Sequence, residues 1–213
     1  MLNFKTLCFN PFSENTFVIW NSEMECIILD PGCAGPSEER ILTDFIREQK
    51  LRPIGIWLTH CHIDHVLGLH FCTNNWNIPF YLHSLEEESL RAVEVYAPAY
   101  GFQHFRLPES RGIFIDEGTI SLGNEDFQVL FVPGHSPGHL AFYHNASGKI
   151  WSGDVLFYES IGRTDLPGGD FGVLSKSIRS RLYELPESTV VYPGHGPETR
   201  IGHERMHNHF VKK

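Results

Sequence analysis

The sequence predicts an α/β fold in which sheets are covered by helices. Strand and helix patterns alternate in the first half of the chain, up to a helical pattern at 85–95. Consecutive strand patterns follow in the second half, from 114 to 151. This combination is typical of sheets with helices packed against them. Because no linker or change of composition interrupts the pattern, we expect one domain over residues 1–213, with no separate C-terminal substrate domain.

The first half begins with a hairpin. β-Branched and bulky apolar residues at 16–20 and 26–29 flank a polar turn, and Asp30-Pro31-Gly32 ends the second strand. Apolar residues at helical spacing then predict a helix over 37–50 with Ser37 as its N-cap. The remaining elements are a strand at 54–58, a helix from His65 or Val66, a strand at 80–83 and an acidic amphipathic helix at 85–95.

The second half contains most of the predicted strands, at 114–115, 119–122, 127–132, 140–143, 149–151 and 190–192. Helices are expected at 173–183 and from Glu198 onward. The stretch 96–108 has no clear period. Its aromatic side chains could cover a site or fill a satellite core; they are Tyr96, Tyr100, Phe102, His104 and Phe105.

Composition and charge exclude several classes of protein. The net charge of −9 argues against a nucleic-acid partner, which needs a basic face. No apolar run approaches the roughly 20 residues that span a bilayer, and the N-terminal residues lack a signal-peptide pattern. Five cysteines without CxxC spacing indicate neither a disulfide scaffold nor a thiolate metal site. We therefore expect a cytoplasmic protein without a membrane partner.

Seven candidate metal ligands lie in turns that follow apolar runs. Four are clustered after the strand at 54–58, and three follow later strands; they are His60, His62, Asp64, His65, His135, Asp154 and His195. Strands that each end in a ligand suggest one site along one edge of a sheet. Imidazole and carboxylate ligands without thiolate suit a catalytic site better than a structural zinc site. We expect two divalent ions, with zinc as first choice and iron or manganese as alternatives.

The spacing of these residues suggests how they are shared. His60 and His62 project from the same side of an extended segment, whereas Asp64 and His65 follow where the chain turns into a helix. The first pair could hold one ion and the second pair another. Asp154 is the natural bridge, because a carboxylate has two oxygens and an imidazole offers one lone pair.

The pattern His60-x-His62-x-Asp64-His65 with downstream His135, Asp154 and His195 resembles the signature of the metallo-β-lactamase superfamily. The segment Leu29–Gly32 resembles the same family's turn before its first helix. The resemblance implies a four-layered αββα sandwich, in which two mixed sheets lie face to face with helices outside. It also implies that His60, His62 and His135 hold the first ion, that Asp64, His65 and His195 hold the second, and that Asp154 bridges them. Asp64 and Asp154 are then the catalytic carboxylates.

Within that superfamily the chain resembles short glyoxalase II-like hydrolases. The segments that carry this likeness are 153–157, 160–165 and 193–199. The implied activity is hydrolysis of a small thioester similar to S-2-hydroxyacylglutathione, by a water that bridges two metals. Full-length glyoxalase II has a C-terminal domain for glutathione, and its usual Lys and Tyr are replaced here by Arg163 and Asp165. The acyl group, the thiol and the oligomeric state therefore remain open.

Two other activities are alternatives to thioester hydrolysis. Persulfide dioxygenases share the run Gly162–Asp165 and use a single iron held by two His and one Asp. A nuclease of the same superfamily is disfavoured by the acidic charge.

Three further side chains could support the site. Arg163 could bind a substrate carboxylate or pair with Asp165 to brace its loop. His139 could orient a ligand, or be a structural histidine. Asp30 could accept a hydrogen bond from a ligand imidazole, or form a turn.

Overall fold

Two six-stranded sheets contain most of the strands of the computed structural model, which describes residues 2–212. The chain divides into two compact units. The first contains the residues up to Ile115 together with Leu122–Glu125, and the second contains Asp116–Ser121 and the residues from Asp126 onward.

The first unit contains a mixed sheet of strand order β1-β2-β3-β4-β5-β6. Its strands are β1 Asn3–Phe9, β2 Glu14–Trp20, β3 Glu25–Leu29, β4 Arg52–Trp57, β5 Phe80–Leu82 and β6 Ile113–Phe114. The first three are antiparallel, and β3 to β6 are parallel. The helices are α1 Pro36–Glu48, α2 Ile63–Val66, α3 Leu69–Trp76 and α4 Glu87–Tyr96, with 3₁₀ turns at Ser84–Glu86 and Ala97–Tyr100.

The parallel pairing of β3 and β4 positions the first group of candidate ligands. Both strands end at the same edge of the sheet, where Leu29 pairs with Trp57 and the Asp30 N–H donates to the Trp57 carbonyl at 3.0 Å. The residues after each strand therefore meet at that edge. Cys61 is fully buried in the core of this unit.

The second unit contains most of a sheet of order β14-β13-β10-β9-β8-β7. Its strands are β7 Gly118–Leu122, β8 Glu125–Phe131, β9 Leu140–His144, β10 Lys149–Gly153, β13 Val190–Pro193 and β14 Thr199–Arg200; β11 Leu156–Phe157 and β12 Ser160–Ile161 form a small separate hairpin. Strands β10 and β13 are parallel, whereas β9 is antiparallel to both β8 and β10. Helix α5 Phe171–Ser177 continues as a π-helical turn through Ile178–Leu182, and α6 spans Ile201–His207.

A buried carboxylate closes the end of the second unit. Glu204 of α6 is fully buried, and its oxygens accept hydrogen bonds from Asn208 Nδ2 at 2.8 Å and from the Glu159 N–H at 3.1 Å. The Tyr183 hydroxyl donates to the Glu204 carbonyl at 3.0 Å. A buried charge of this kind is tolerated because its oxygens are hydrogen-bonded.

Most of the predicted elements are present, with four corrections. Ser37 is not an N-cap: α1 begins at Pro36, and its N-cap is Gly35 with a φ of 79°, because a left-handed backbone there favours glycine. The strand expected at 114–115 pairs with β5 in the first sheet rather than joining the later meander. The helix after the ligand cluster begins at Ile63, earlier than expected, and the final helix begins at Ile201, after the short strand β14. Strand β1 was not predicted.

Cysteines Cys8, Cys26, Cys33, Cys61 and Cys72 are all free thiols. None of the helices between residues 2 and 212 is long and apolar enough to cross a bilayer.

Candidate metal centre

The first group of candidate ligands lies in the loop after β4 and in α2. His60 and His65 are fully buried, and their ring centroids are 4.2 Å apart. His60 Nε2 lies 3.1 Å from His62 Nδ1, so the two imidazoles turn a nitrogen toward one another. This convergence fits a shared metal ion better than a packing role, since imidazole nitrogens are common metal ligands.

Asp30 fixes the orientation of this ligand loop. Its Oδ1 accepts from the Thr59 N–H at 2.7 Å, and its Oδ2 accepts from the Thr59 hydroxyl at 2.6 Å. His65 Nδ1 lies 3.1 Å from the same Oδ2. Because a carboxylate only accepts, Nδ1 carries the imidazole proton and Nε2 becomes the basic nitrogen of His65. That Nε2 is 3.7 Å from Asp64 Oδ2.

Two more polar side chains hold the backbone of the same loop. Glu86 Oε2 accepts from the Cys61 N–H at 2.9 Å, and Asn10 Nδ2 donates to the Asp64 carbonyl at 3.0 Å. The loop is thus fixed at Thr59, Cys61 and Asp64. Neither residue was predicted from the sequence. Glu86 lies in a pattern typical of an exposed acidic helix, and Asn10 has the residue type of a turn.

A buried glutamate lies beside His65. Glu14 Oε1 is 4.0 Å from His65 Nδ1, and Glu14 Oε2 is hydrogen-bonded to the Thr16 hydroxyl at 2.8 Å. Burial raises the pKa of Glu14 well above its ordinary value, while the neighbouring His65 lowers it. Gly32 is required here, since a Cβ at that position would lie 2.0 Å from Glu14 Oε2 and 2.6 Å from the Asp64 carbonyl.

The second unit brings together His135, Asp154 and His195. Asp154 Oδ2 lies 3.6 Å from His135 Nε2 and 3.5 Å from His195 Nε2. Asp154 and His195 follow β10 and β13, which run in parallel, so they emerge at one edge of the second sheet. The His135 Nδ1 donates to the Arg163 carbonyl at 2.8 Å, which leaves Nε2 as the basic nitrogen on the side of the carboxylate.

The backbone around Asp154 is also held by its neighbours. His139 is fully buried, and its Nε2 accepts from the Asp154 N–H at 3.1 Å. His139 therefore contacts the backbone of Asp154, and its ring is also edge-on to that of His135, with the centroids 5.9 Å apart. Gly162 allows a close approach: a Cβ there would lie 1.9 Å from the Asp154 carbonyl and 2.9 Å from His135 Nδ1. The close approach that Gly162 permits was not predicted from the sequence.

The Arg163 side chain lies in its own loop. Its Nε and Nη2 each donate to Asp165 at 2.7 Å, and both side chains are exposed, by 60% and 68%. This bidentate bond, together with a backbone hydrogen bond and the charge of Arg163, lowers the pKa of Asp165 to about 2. Of the two roles considered for Arg163, the geometry matches the bracing of the loop.

The donor atoms of both units suit a divalent transition metal. In the first unit, ligand atoms of Asp30, His60 and His65 lie within 4.8 Å of one another. Imidazole nitrogens oriented by second hydrogen bonds, together with carboxylate oxygens, are typical of zinc, iron and manganese centres.

Residues 9–195 match the metallo-beta-lactamase superfamily, a span that includes all seven candidate ligands. The chain belongs to this superfamily. Among curated relatives, the probable metallo-hydrolase YqgX of Bacillus subtilis is 36% identical over 94% of this chain and 93% of its own. The hydroxyacylglutathione hydrolase GloC of Haemophilus influenzae is 34% identical over 99% of this chain and 98% of its own.

Solved structures confirm the metallo-β-lactamase fold. The B3 metallo-beta-lactamase BLEG-1 matches with a TM-score of 0.89 and 35% identity, over 99% of this chain and 100% of that one. TTHA1623, crystallised in a di-iron-bound form, matches with a TM-score of 0.87 and 36% identity, over 97% of this chain and 100% of that one. The mixed α/β class predicted from the sequence is therefore correct. The superfamily assignment supports a metal-dependent hydrolase.

Removing the Glu86 carboxylate is expected to weaken metal binding. The Glu86→Leu variant leaves the Cys61 N–H without its acceptor, so the loop carrying His60 and His62 loses one of its three anchors. We expect zinc affinity to fall about 10- to 100-fold, the range seen when groups that orient ligands are removed. Glu86→Gln keeps an acceptor oxygen and should retain most of the affinity.

The measurement is competition for zinc with a chromogenic chelator, with Glu88→Leu, an exposed position of α4 two residues after Glu86, as control. Equal affinities in Glu86→Leu and Glu88→Leu would show that the anchor does not organise the loop.

The Arg163–Asp165 ion pair is expected to make stability depend on pH. Because the folded pKa of Asp165 is lowered, the pair contributes stability above the ordinary value of 3.8, and the contribution is lost as pH falls toward about 2. In Arg163→Gln the Asp165 pKa should rise from about 2 toward 3.8. Carboxyl ¹³C NMR titration measures this directly. An unchanged Asp165 titration would mean that the pair does not form in solution.

Proposed function

We propose that this protein hydrolyses a small thioester similar to S-2-hydroxyacylglutathione, using two divalent metal ions. The observation that carries the proposal is the position of Asp154, whose Oδ2 lies 3.6 and 3.5 Å from the Nε2 atoms of His135 and His195. A carboxylate beside two imidazoles could share two cations with them, because its oxygens offer several lone pairs. The 34% identity to GloC, over nearly the whole of both chains, supports this choice of substrate class.

The proposed ligand set is the one predicted from the sequence. His60, His62 and His135 would hold the first ion, and Asp64, His65 and His195 the second, with Asp154 shared. The basic nitrogens support this division within each unit: His60 Nε2 and His62 Nδ1 converge, while His65 Nε2 lies on the side of Asp64. Zinc is our first choice. The di-iron form of TTHA1623 makes iron an equal test case.

Two metal ions, when bound, would supply a water of lowered pKa as nucleophile and an electrophile for the thioester carbonyl. The carboxylates of Asp64 and Asp154 would be placed to accept hydrogen bonds from that water and to orient it. Asp30 keeps the proton of His65 on Nδ1, and the Arg163 carbonyl keeps that of His135 on Nδ1. A thiolate leaves without protonation, since thiol pKa values are near 8.5, so the site needs no separate general acid.

We also propose that the partner is a small molecule rather than nucleic acid or a membrane, in keeping with the charge of −9, and that the protein acts in the cytoplasm. A mononuclear iron dioxygenase for persulfides is the second candidate, because the run Gly162–Asp165 also fits that group. It would require only one metal ion and would consume oxygen.

The test of this proposal is turnover of S-D-lactoylglutathione by the purified protein. We expect hydrolysis that a chelator abolishes and that added zinc or iron restores. Asp154→Asn should lower kcat/KM about 100-fold or more, since one oxygen of the shared carboxylate is replaced by an amide. Asp44→Asn, at a partly exposed position of α1 where Asp44 pairs with Arg47, is the control and should be unchanged.

Two parallel assays decide between the alternatives. Oxygen uptake with glutathione persulfide, in place of hydrolysis, would support the dioxygenase. Turnover of a chromogenic cephalosporin without thioesterase activity would instead align the chain with BLEG-1. Thioester hydrolysis that survives complete removal of metal would contradict the proposed mechanism.

A further inference from the structure

Four aromatic side chains of the first unit form a continuous surface, which we call the aromatic wall: Phe12, Tyr96, Tyr100 and Phe102. The ring centroids of Phe12 lie 6.2 Å from Tyr100 and 6.3 Å from Phe102, and those of Tyr96 and Tyr100 are 5.9 Å apart. All three pairs are tilted or edge-on, within the range in which aromatic rings attract one another.

Two members of the aromatic wall pack against the core of the first unit, and the other two are exposed to solvent. Tyr96 and Phe102 are partly buried and pack against the core of the first unit. Phe12 and Tyr100 are exposed by 39% and 58%. Exposed aromatic side chains that are grouped and rigidly supported, rather than scattered, mark surfaces that bind something.

The aromatic wall adjoins the segment that carries Asp64 on two sides. On one side, Asn10 Nδ2 donates to the Asp64 carbonyl, and Asn10 Oδ1 accepts from the Phe12 N–H, both at 3.0 Å. On the other side, helix α4, which contains Tyr96, contacts helix α2, which contains Asp64. The wall therefore adjoins a candidate ligand of the second metal ion.

The aromatic wall is also uncharged at neutral pH. Its members are two phenylalanines and two tyrosines, and no lysine, arginine or carboxylate belongs to it. Such a surface can pack against an apolar group, but it offers no positive charge to bind a carboxylate.

We propose that the aromatic wall binds an alkyl or aryl group of the thioester substrate, next to the carbonyl that reacts at Asp64. This rests on the proposed hydrolase function and narrows its substrate class. A lactoyl group is small and polar and would leave the wall uncovered, whereas an aryl group would cover Phe12 and Tyr100. The apolar group could belong to the acyl half or to the thiol half of the ester.

Matched thioesters distinguish the two sources. In the acyl arm, kcat/KM is compared for S-phenylacetylglutathione and S-D-lactoylglutathione. In the thiol arm, the comparison is between the acetyl thioesters of benzyl mercaptan and of N-acetylcysteamine. We expect the aryl substrate to be preferred at least about 10-fold in one arm, the discrimination typical of one added apolar contact.

The variants Phe12→Ala and Tyr100→Ala should each reduce that preference about 5- to 10-fold, through KM more than kcat. Phe114→Ala is the matched control, because Phe114 is 53% exposed in the same unit and lies on strand β6, outside the wall. Metal content and melting temperature should match the parent in all three variants.

A binding measurement separates this proposal from the hydrolase function. S-benzylglutathione and S-methylglutathione lack a scissile carbonyl, so calorimetric binding reports on the wall even if no thioester is hydrolysed. We expect the benzyl compound to bind at least about 10-fold more tightly, with the advantage lost in Phe12→Ala.

Two results would overturn the proposal. One is equal binding of the two thioethers together with equal kcat/KM in both arms, even if lactoylglutathione is still hydrolysed. The other is an altered oligomeric state in Phe12→Ala with unchanged selectivity, which would make the wall a surface for a second copy of the chain.

Discussion

The buried Asp30 carboxylate is the interaction on which the ligand loop depends. It receives hydrogen bonds from both the backbone and the hydroxyl of Thr59, and its Oδ2 also contacts His65 Nδ1. One carboxylate thus joins the end of β3, the end of β4 and the helix α2. Because a buried carboxylate must be fully hydrogen-bonded, these three segments have little freedom to move separately. The positions of His60 and His65 follow from that constraint.

In the second unit, different polar groups orient the candidate ligands. There the backbone N–H of Asp154 is held by His139 Nε2, and the His135 ring is held by the Arg163 carbonyl. Gly162 allows the two segments to approach closely. In both units the side chains that carry the chemistry are ordered by neighbouring polar groups that do not belong to the ligand set. This preorganisation lowers the entropy lost when a metal ion binds.

The candidate ligands could be located at strand ends from the sequence, because each follows an apolar run and strands are visible in a period of two. Family membership and the solved structures confirm the predicted fold, and the metal-binding role of these residues stays a prediction. The supporting residues were harder to predict. Glu14 and Glu86 are charged residues that a periodic pattern assigns to the surface, yet both are fully buried. Glu86 accepts a hydrogen bond from the Cys61 N–H, and Glu14 Oε1 lies 4.0 Å from His65 Nδ1. These are contacts between residues distant in sequence, which no local pattern contains.

Smaller errors have similar causes. Ser37 has the residue type of an N-cap, but the N-cap is Gly35, two residues earlier, where the backbone has a positive φ. Helix α1 therefore begins at Pro36. The strand at Ile113–Phe114 continues the strand pattern of the second half, although it pairs with β5 of the first sheet. Pairing partners are set by tertiary contacts, so local propensity could locate this strand without assigning it to a sheet.

We propose that the chain binds a pair of metal ions that share Asp154. The most direct test is the metal content per chain, measured by inductively coupled plasma mass spectrometry on the parent, Asp64→Ala and Asp154→Ala. We expect about two ions in the parent, about one in Asp64→Ala, and loss of both ions, in whole or in part, in Asp154→Ala. One ion in the parent that persists unchanged in Asp64→Ala would contradict the dinuclear assignment.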